Sequence, residues 1–138
     1  MRLKNTFGKL VYKNVSKHII DWEGKSRSLL QFKTKQFLKP YWCGQIVYEE
    51  FPVYGTKMKV DILNATKKIA IEVNGPQHNS FNKFFHQNSP ERYLKSIKRD
   101  YSKRQWLELN DFTLIEIEEE EIELLSENFF FKKFNVTL

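Results

Sequence analysis

Two short runs of alternating apolar and polar residues occupy the middle of the chain, within the segment YGTKMKVDILNATKKIAIEVNGPQH. In the first run the apolar residues 58, 60 and 62 fall on one face of a strand, so Asp61 falls on the other. In the second run the apolar residues 69, 71 and 73 share a face, which leaves Glu72 and Asn74 opposite them. A hairpin through residues 64–66 therefore brings two carboxylates together just before the Gly75-Pro76 turn.

The chemistry of this carboxylate pair favours a metal ion. Carboxylate oxygens are hard ligands of the kind that Mg²⁺ prefers, so Asp61 and Glu72 are predicted to hold a divalent cation. The alternative is a pair of exposed strand carboxylates neutralised by nearby lysines at positions 57, 59 or 68. Because Asp is disfavoured in strands, its place between two apolar residues favours the metal interpretation.

The patterns on either side of these runs predict a layered α/β domain. An apolar stripe over residues 26–39 predicts a helix that Pro40 ends. A second helix is expected from Pro90 to about Leu109, and a short acidic helix over residues 118–128. The strand-like runs cover residues 45–51, 57–63, 67–74 and 112–117.

The length of the chain, 138 residues, fits one domain with a modest core. We expect an N-terminal arm over residues 1–25, a core over 26–117, and an acidic helix and tail over 118–138. Hydrophobic residues make up 41% and charged residues 29%, which is typical of a soluble globular protein. No apolar run approaches the roughly 20 residues of a membrane helix, so no membrane partner is expected.

The single cysteine, Cys43, excludes an internal disulfide and fits a reducing compartment. The basic N-terminal segment lacks the continuous apolar stretch and the cleavage site of a secretory signal. Both features predict a cytoplasmic protein.

The charge of the chain is unevenly distributed. The net charge is +6, but residues 1–115 carry 21 Lys and Arg against 10 Asp and Glu, whereas residues 116–138 carry two against seven. A small domain this basic favours a polyanionic partner, because neutralised phosphates release counterions. A lysine-rich solvated surface without a partner is the alternative.

The sequence around the carboxylates resembles the PD-(D/E)XK, or restriction-endonuclease-like, nuclease superfamily. Within it the similarity is to small phage and bacterial proteins related to the very-short-patch-repair endonucleases. Asp61 in KVDIL and Glu72 in IEVNGPQH match the two acidic positions of the family. The lysine of the family motif falls on Asn74, whereas Gly75 and His78 match the segment E-V-D-G-x-x-H of the patch-repair branch.

The resemblance implies a restriction-endonuclease-like αβββαβ core, with a central mixed sheet flanked by helices. It implies that the backbone carbonyl of Val73 joins Asp61 and Glu72 as a metal ligand. The later helix of the family often carries an Asp and a basic residue, similar here to Asp100 and Lys103. Its first helix often carries S-x-x-E, where this chain has Gln31 in place of Glu.

The residues after the second carboxylate are the other candidates for catalysis. Asn74 cannot replace an ammonium group but can orient a water or bind a metal weakly, or it is simply a strand-end residue. His78 is the best candidate for proton transfer because its pKa lies near neutrality; a loop histidine is the alternative. Gln77 either positions metal or phosphate or belongs to the turn.

The predicted second helix carries candidate nucleic-acid contacts. Lys98 or Lys103 can supply the ammonium that Asn74 lacks, although a solvated basic face is the alternative. Glu49 and Glu50 lie on opposite faces by alternation, so at most one of them is expected in the metal site. The predicted phosphate contacts are Lys95, Lys98, Arg99 and Lys103.

The expected function is that of an endodeoxyribonuclease that hydrolyses phosphodiester bonds with a water activated by Mg²⁺ or Mn²⁺. DNA is the expected partner, and a homodimer is possible because so short a chain leaves little room for a recognition domain. The alternative is a catalytically inactive nucleic-acid-binding or assembly module that retains the fold. An enzyme acting on RNA or branched DNA also remains open.

Overall fold

Six strands and three α-helices lie within the part of the chain that the computed structural model describes, residues 1–75 and 90–138. Two 3₁₀ segments, Ser16–His18 and Glu119–Leu124, accompany them. The strands are β1 (Arg2–Lys4), β2 (Leu10–Tyr12), β3 (Val47–Pro52), β4 (Lys59–Asn64), β5 (Ile69–Asn74) and β6 (Thr113–Glu118). The helices are α1 (Leu29–Trp42), α2 (Pro90–Leu109) and α3 (Glu127–Phe134).

The central sheet has the strand order β3-β4-β5-β6. The first two pairs are antiparallel, and β5 pairs with β6 in parallel. A parallel pair needs a crossover connection, and α2 lies within it. The α/β class and the mixed sheet are confirmed, and the central strands lie within two residues of their predicted limits. β1 and β2 form a separate two-stranded hairpin in the N-terminal arm.

Two hydrophobic clusters cover the two faces of the sheet. Trp42 and Leu38 of α1 pack with Ile62, Ile71 and other strand residues in one cluster. In the other, Trp106 and Leu107 of α2 pack with buried residues such as Leu63, Ala70 and Phe112. Successive strand residues point to opposite faces. Asp61 directly precedes Ile62 and Glu72 directly follows Ile71, so both acidic residues lie on the side of α2.

Val60 and Met58 depart from the predicted alternation. Both pack in the cluster of α2, whereas Ile62, predicted to share their face, packs in the cluster of α1. Val60 pairs with Phe51, which directly follows Glu50, and Glu50 has a left-handed backbone with φ of 54°. A left-handed residue reverses the direction in which the next side chain points, so Phe51 and its neighbour Val60 turn toward α2.

Helix α1 begins later and ends later than predicted. Ser28 caps it by accepting a hydrogen bond from the backbone N–H of Gln31 at 3.1 Å. Pro40 does not end the helix, which continues to Trp42. Pro40 is exposed, so the carbonyl that loses its partner can be hydrated, and a proline near the end of a helix disturbs few further bonds.

The acidic segment does not form the single helix predicted over residues 118–128. A 3₁₀ segment covers Glu119–Leu124, and α3 begins separately after the N-cap Ser126, which accepts a hydrogen bond from the N–H of Phe129 at 3.0 Å. Phe130 of α3 is fully buried in the cluster of α1. Its burial fixes the C-terminal segment to the domain. In the described ranges no helix has the length and apolar character needed to cross a membrane.

Candidate functional site

Asp61 and Glu72 lie side by side where β4 and β5 stop pairing. The antiparallel ladder ends with the pair of Ile62 and Ile71, and the two acidic residues come one step further along each strand. The backbone N–H of Asp61 donates to Oε2 of Glu72 at 3.1 Å. The N–H of Val73 donates to Oδ2 of Asp61 at 2.8 Å. Each carboxylate thus accepts from a backbone N–H that the separating strands leave without a ladder partner.

The two carboxylates are also largely removed from water. Asp61 is 8% exposed, and the side chain of Glu72 is 12% exposed. Burial, and after it the negative charge of Glu72, raises the pKa of Asp61 to about 8, while the hydrogen bond from Val73 opposes the rise. Two buried acidic groups this close favour binding of a positive charge.

Lys103 supplies one such charge from another element. Its Nζ, on α2, donates to Oε1 of Glu72, and both side chains are largely buried. The interaction joins residues 31 positions apart in the chain. An ammonium group therefore lies beside the carboxylate pair, although position 74 lacks the lysine of the family motif. The sequence predicted that either Lys98 or Lys103 can supply this ammonium, and the structure brings Lys103 to Glu72.

Glu49 and Glu50 both reach the same side chain, contrary to the prediction that they lie on opposite faces. The amide Nε2 of Gln31 donates to Glu49 at 2.9 Å and to Glu50 at 3.3 Å. The reason is the left-handed backbone of Glu50, which interrupts the alternation of the strand. Such a conformation costs a non-glycine residue on the order of 1–3 kcal/mol. The negative charge of Glu50 also contributes to the raised pKa of Asp61, so Glu50 lies near the carboxylate pair.

Lys35 of α1 holds the carboxylate of Glu49 in place. Its fully buried ammonium donates to the carbonyls of Asp21 and Gly24, each at 2.8 Å, and to Oε1 of Glu49 at 3.1 Å. Ser26 donates to the other oxygen of Glu49 at 2.6 Å. A lysine is an unusual residue to be fully buried, and the ion pair and the two carbonyls account for its position. The signal that could have found it is its spacing, four residues after Gln31 and three before Leu38, both of which are buried.

Of the other predicted catalytic residues, Asn74 alone lies in the part of the chain that the structure describes. Asn74 uses its Nδ2 to donate to Oε1 of Glu118 at 3.0 Å, so its amide is joined to the neighbouring strand β6. Gln77 and His78 lie outside the described residues. The N–H of Val73 is occupied by Asp61, while its carbonyl remains the predicted metal ligand.

The predicted phosphate contacts on α2 divide into two groups. Lys103 contacts Glu72, whereas Lys95, Lys98 and Arg99 are exposed on the surface of the helix. Arg99 precedes Lys103 by four residues and therefore lies on nearly the same side of the helix. Lys98 lies five residues before Lys103 and therefore projects from a different side of the helix. It is the least suited of the three to reach the carboxylate pair.

The donor set fits a magnesium-type ion with few protein ligands. Within residues 1–75 and 90–138 no group of three or more His, Cys, Asp or Glu side chains is arranged to hold a metal ion. Mg²⁺, however, is commonly held by one or two carboxylates, with water and substrate phosphate completing its shell. Asp61 and Glu72 provide two carboxylates, and a cation between them would offset the burial and the repulsion that together raise the pKa of Asp61.

Comparison with known proteins identifies a distant viral relative. The chain is similar to an uncharacterized protein, 033L, of Invertebrate iridescent virus 3, with 32% identity over 87 residues. The aligned stretch covers 63% of this chain and 44% of the viral protein, so the chain spans less than half the length of that relative. No protein-family model matches the chain, and no solved structure matches it. The function is therefore inferred from the geometry of the site.

Proposed function

We propose that this protein is a divalent-metal-dependent DNA endonuclease of the restriction-endonuclease-like type. The observation that carries the proposal is the cluster of Asp61, Glu72 and Lys103, in which two adjacent buried carboxylates and an ammonium group meet at the end of a separated strand pair. Carboxylates can hold a metal ion that assists cleavage of a phosphodiester, and an ammonium group beside them can stabilise negative charge on the phosphate. Sequence resemblance and geometry indicate the same two acidic residues.

The order of elements supports the proposal. One helix, three antiparallel strands, a second helix and a parallel fourth strand follow one another from α1 to β6. This order agrees with the αβββαβ core that the resemblance implies. The acidic residues lie on the second and third of these strands, where the family motif places them.

The proposed reaction is hydrolysis of a phosphodiester bond. A water oxygen forms a bond to phosphorus, the bond from phosphorus to the leaving oxygen breaks, one proton leaves the water and one joins the leaving oxygen. When bound, Mg²⁺ or Mn²⁺ supplies a Lewis acid that lowers the pKa of a water and offsets charge on the phosphate. Asp61, Glu72 and the carbonyl of Val73 would hold the ion.

The residues of the site would orient the metal ligands, stabilise negative charge and transfer a proton. The N–H of Val73 fixes the orientation of Asp61, which keeps the two carboxylates in one arrangement before substrate arrives. The ammonium of Lys103 lies beside Glu72 and would stabilise negative charge that develops on the phosphate. His78, outside the described residues, remains the predicted proton-transfer group.

A cleavage assay with isosteric variants tests this proposal. Wild-type protein is incubated with plasmid and labelled duplex DNA in Mg²⁺ or Mn²⁺, beside Asp61→Asn and Glu72→Gln. Both variants keep an oxygen able to accept the backbone N–H groups, so folding is preserved while the negative charge is lost. We expect each to lower the cleavage rate about 100-fold or more, with Glu108→Gln, an exposed control on α2, close to wild type. Cleavage that survives either site variant rejects the mechanism.

A second candidate is a nucleic-acid-binding or assembly module that no longer cleaves. It is favoured by the contacts that the protein itself provides to the carboxylates. Lys103 neutralises Glu72, and each carboxylate accepts a hydrogen bond from one backbone N–H. The amide of Asn74 is likewise joined to Glu118. Titration with Mn²⁺ separates the two candidates, because a module of this kind binds no divalent ion in a manner that depends on Asp61.

A further inference from the structure

A cleft of about 560 Å³ opens next to the acidic site, between the segment that precedes α1 and the edge of β3. Its floor includes Glu49 and Glu50, and four basic side chains line it: Lys17, Lys25, Arg27 and Lys59. All four are exposed. The cleft lies within the volume range of about 300–1,000 Å³ that is typical of ligand sites.

The four basic side chains of the cleft outnumber the three acidic ones that also line it, Asp21, Glu49 and Glu50. Lys35, outside the cleft, forms the buried ion pair with Glu49, and Gln31 donates to both glutamates. None of the four basic side chains forms a salt bridge with a carboxylate in the described ranges. Burial lowers the pKa of His18, and the positive charges of Lys17 and Lys59 lower it further. The basic groups are thus available for an external anion.

The cleft adjoins the carboxylate pair through β4, because Lys59, which lines the cleft, lies two residues before Asp61 on that strand. Glu50 lies in the floor of the cleft, and its charge acts on Asp61. An anionic chain that contacts Lys59 would therefore pass close to Asp61. A single small anion would not need four basic groups.

We propose that this cleft binds the backbone phosphates of a DNA strand beside the carboxylate pair. Lys25, Arg27 and Lys59 are the principal contacts, and Lys17 extends the same track. This inference rests on the proposed function for the choice of DNA as the ligand. It differs from the sequence prediction, which placed the phosphate contacts on α2. The bidentate guanidinium of Arg27 is suited to a phosphate.

DNA binding measured without catalysis tests the inference. Fluorescence anisotropy of a labelled duplex is recorded in EDTA over a range of salt concentrations, so that no cleavage occurs. The triple variant Lys25→Ala, Arg27→Ala and Lys59→Ala is compared with Arg2→Ala, Lys9→Ala and Lys132→Ala. The control removes the same kinds of charge from exposed residues outside the cleft. Thermal unfolding of each variant confirms that the fold is intact.

The expected result is specific to the cleft. The cleft variant should bind about tenfold more weakly or worse, and its dependence of log K on log salt should become shallower by about 2–3, roughly 0.9 for each phosphate that the variant no longer neutralises. The control variant should retain most of the affinity and slope. Equal losses in both variants, or no loss in the cleft variant, overturn the inference. If the cleft variant does not fold, Arg27→Glu against Lys132→Glu makes the same comparison.

The outcomes separate this inference from the proposed function. Wild-type protein that binds DNA through the cleft but does not cleave it supports the inference and rejects the nuclease. Wild-type protein that cleaves DNA while the cleft variant binds normally rejects the inference alone. A polyglutamate peptide that competes as well as DNA of equal charge shows that the cleft accepts any polyanion, which also overturns it. Absence of DNA binding by the wild type overturns it as well.

Discussion

Lys103 of α2 donates a hydrogen bond to Glu72 of β5, so a helix supplies the ammonium group of a site whose carboxylates lie on strands. Position 74, two residues after Glu72, holds an asparagine. The positive charge is therefore present at the carboxylates, but it comes from a different element of the fold. In the proposed nuclease Lys103 takes the part of the motif lysine.

Replacement of Lys103 tests that part. Lys103→Met keeps most of the length of the side chain and removes its charge, so we expect cleavage to fall about 100-fold or more, the effect of losing one charge-stabilising donor. Lys103→Arg should retain part of the activity, and Lys98→Met, on the same helix, should change cleavage far less. Single-turnover cleavage of labelled DNA measures all three. A rate for Lys103→Met within about threefold of wild type assigns the residue a structural part only.

The stability of the metal-free protein should fall as the pH rises. Burial and the charge of Glu72 raise the pKa of Asp61 from 3.8 to about 8. The folded protein therefore holds a proton that the unfolded chain releases, which stabilises the fold at low pH, and this contribution is lost as the pH rises through the folded pKa. Urea unfolding in EDTA from about pH 4 to pH 9 should show the decline. In Asp61→Asn it should be much flatter, and an equal decline there assigns the effect to other groups.

Binding of a divalent ion should release a proton below that pKa. A carboxylate must lose its proton to bind a metal, so the affinity for Mn²⁺ should increase with pH until Asp61 is ionised. Isothermal titration calorimetry in buffers of different ionisation enthalpy measures the proton released per ion bound. Glu108→Gln provides the control. Mn²⁺ binding that is independent of pH and unaffected by Asp61→Asn places the ion elsewhere.

Lys35 should be far more important for stability than its neighbour Lys33. Lys35→Met leaves the side chain of Glu49, which is 12% exposed, without its ion-pair partner, and breaking such a pair costs about 3–5 kcal/mol. Lys33→Met removes a surface pair with Glu123 at 3.5 Å, for which we expect a loss below about 1 kcal/mol. Urea unfolding compares the two lysines on the same helix. Similar losses in both variants contradict the proposed importance of the buried network.

Part of that cost should be recovered by a second change. In the double variant Lys35→Met with Glu49→Gln, the uncompensated buried charge is removed, so the loss should be smaller than for Lys35→Met alone. The double-mutant cycle measures the coupling between the two side chains. Additive losses would mean that Lys35 acts through the carbonyls of Asp21 and Gly24 alone.

Local patterns in the sequence predicted the sheet well. The strands β4 and β5 were located because their apolar residues repeat every second position, which is a property of a few adjacent residues. The same alternation placed Asp61 and Glu72 together on one face. It failed at Glu50, and at Met58 and Val60 near it, because the left-handed backbone of Glu50 interrupts the period. Nothing in the composition of the strand indicates such a conformation for a glutamate.

The sequence by itself determined the four strands of the central sheet, the second helix and the meeting of two carboxylates, because each follows from periodicity over a few neighbouring positions. The tertiary structure alone decided that Lys103 reaches Glu72, that Lys35 is buried beneath Glu49, and that Glu50 turns toward Gln31. These contacts depend on how a helix packs on a sheet, and their partners are far apart in the chain. No local period encodes the distance between such residues, so only the packed fold brings the charges of the site together.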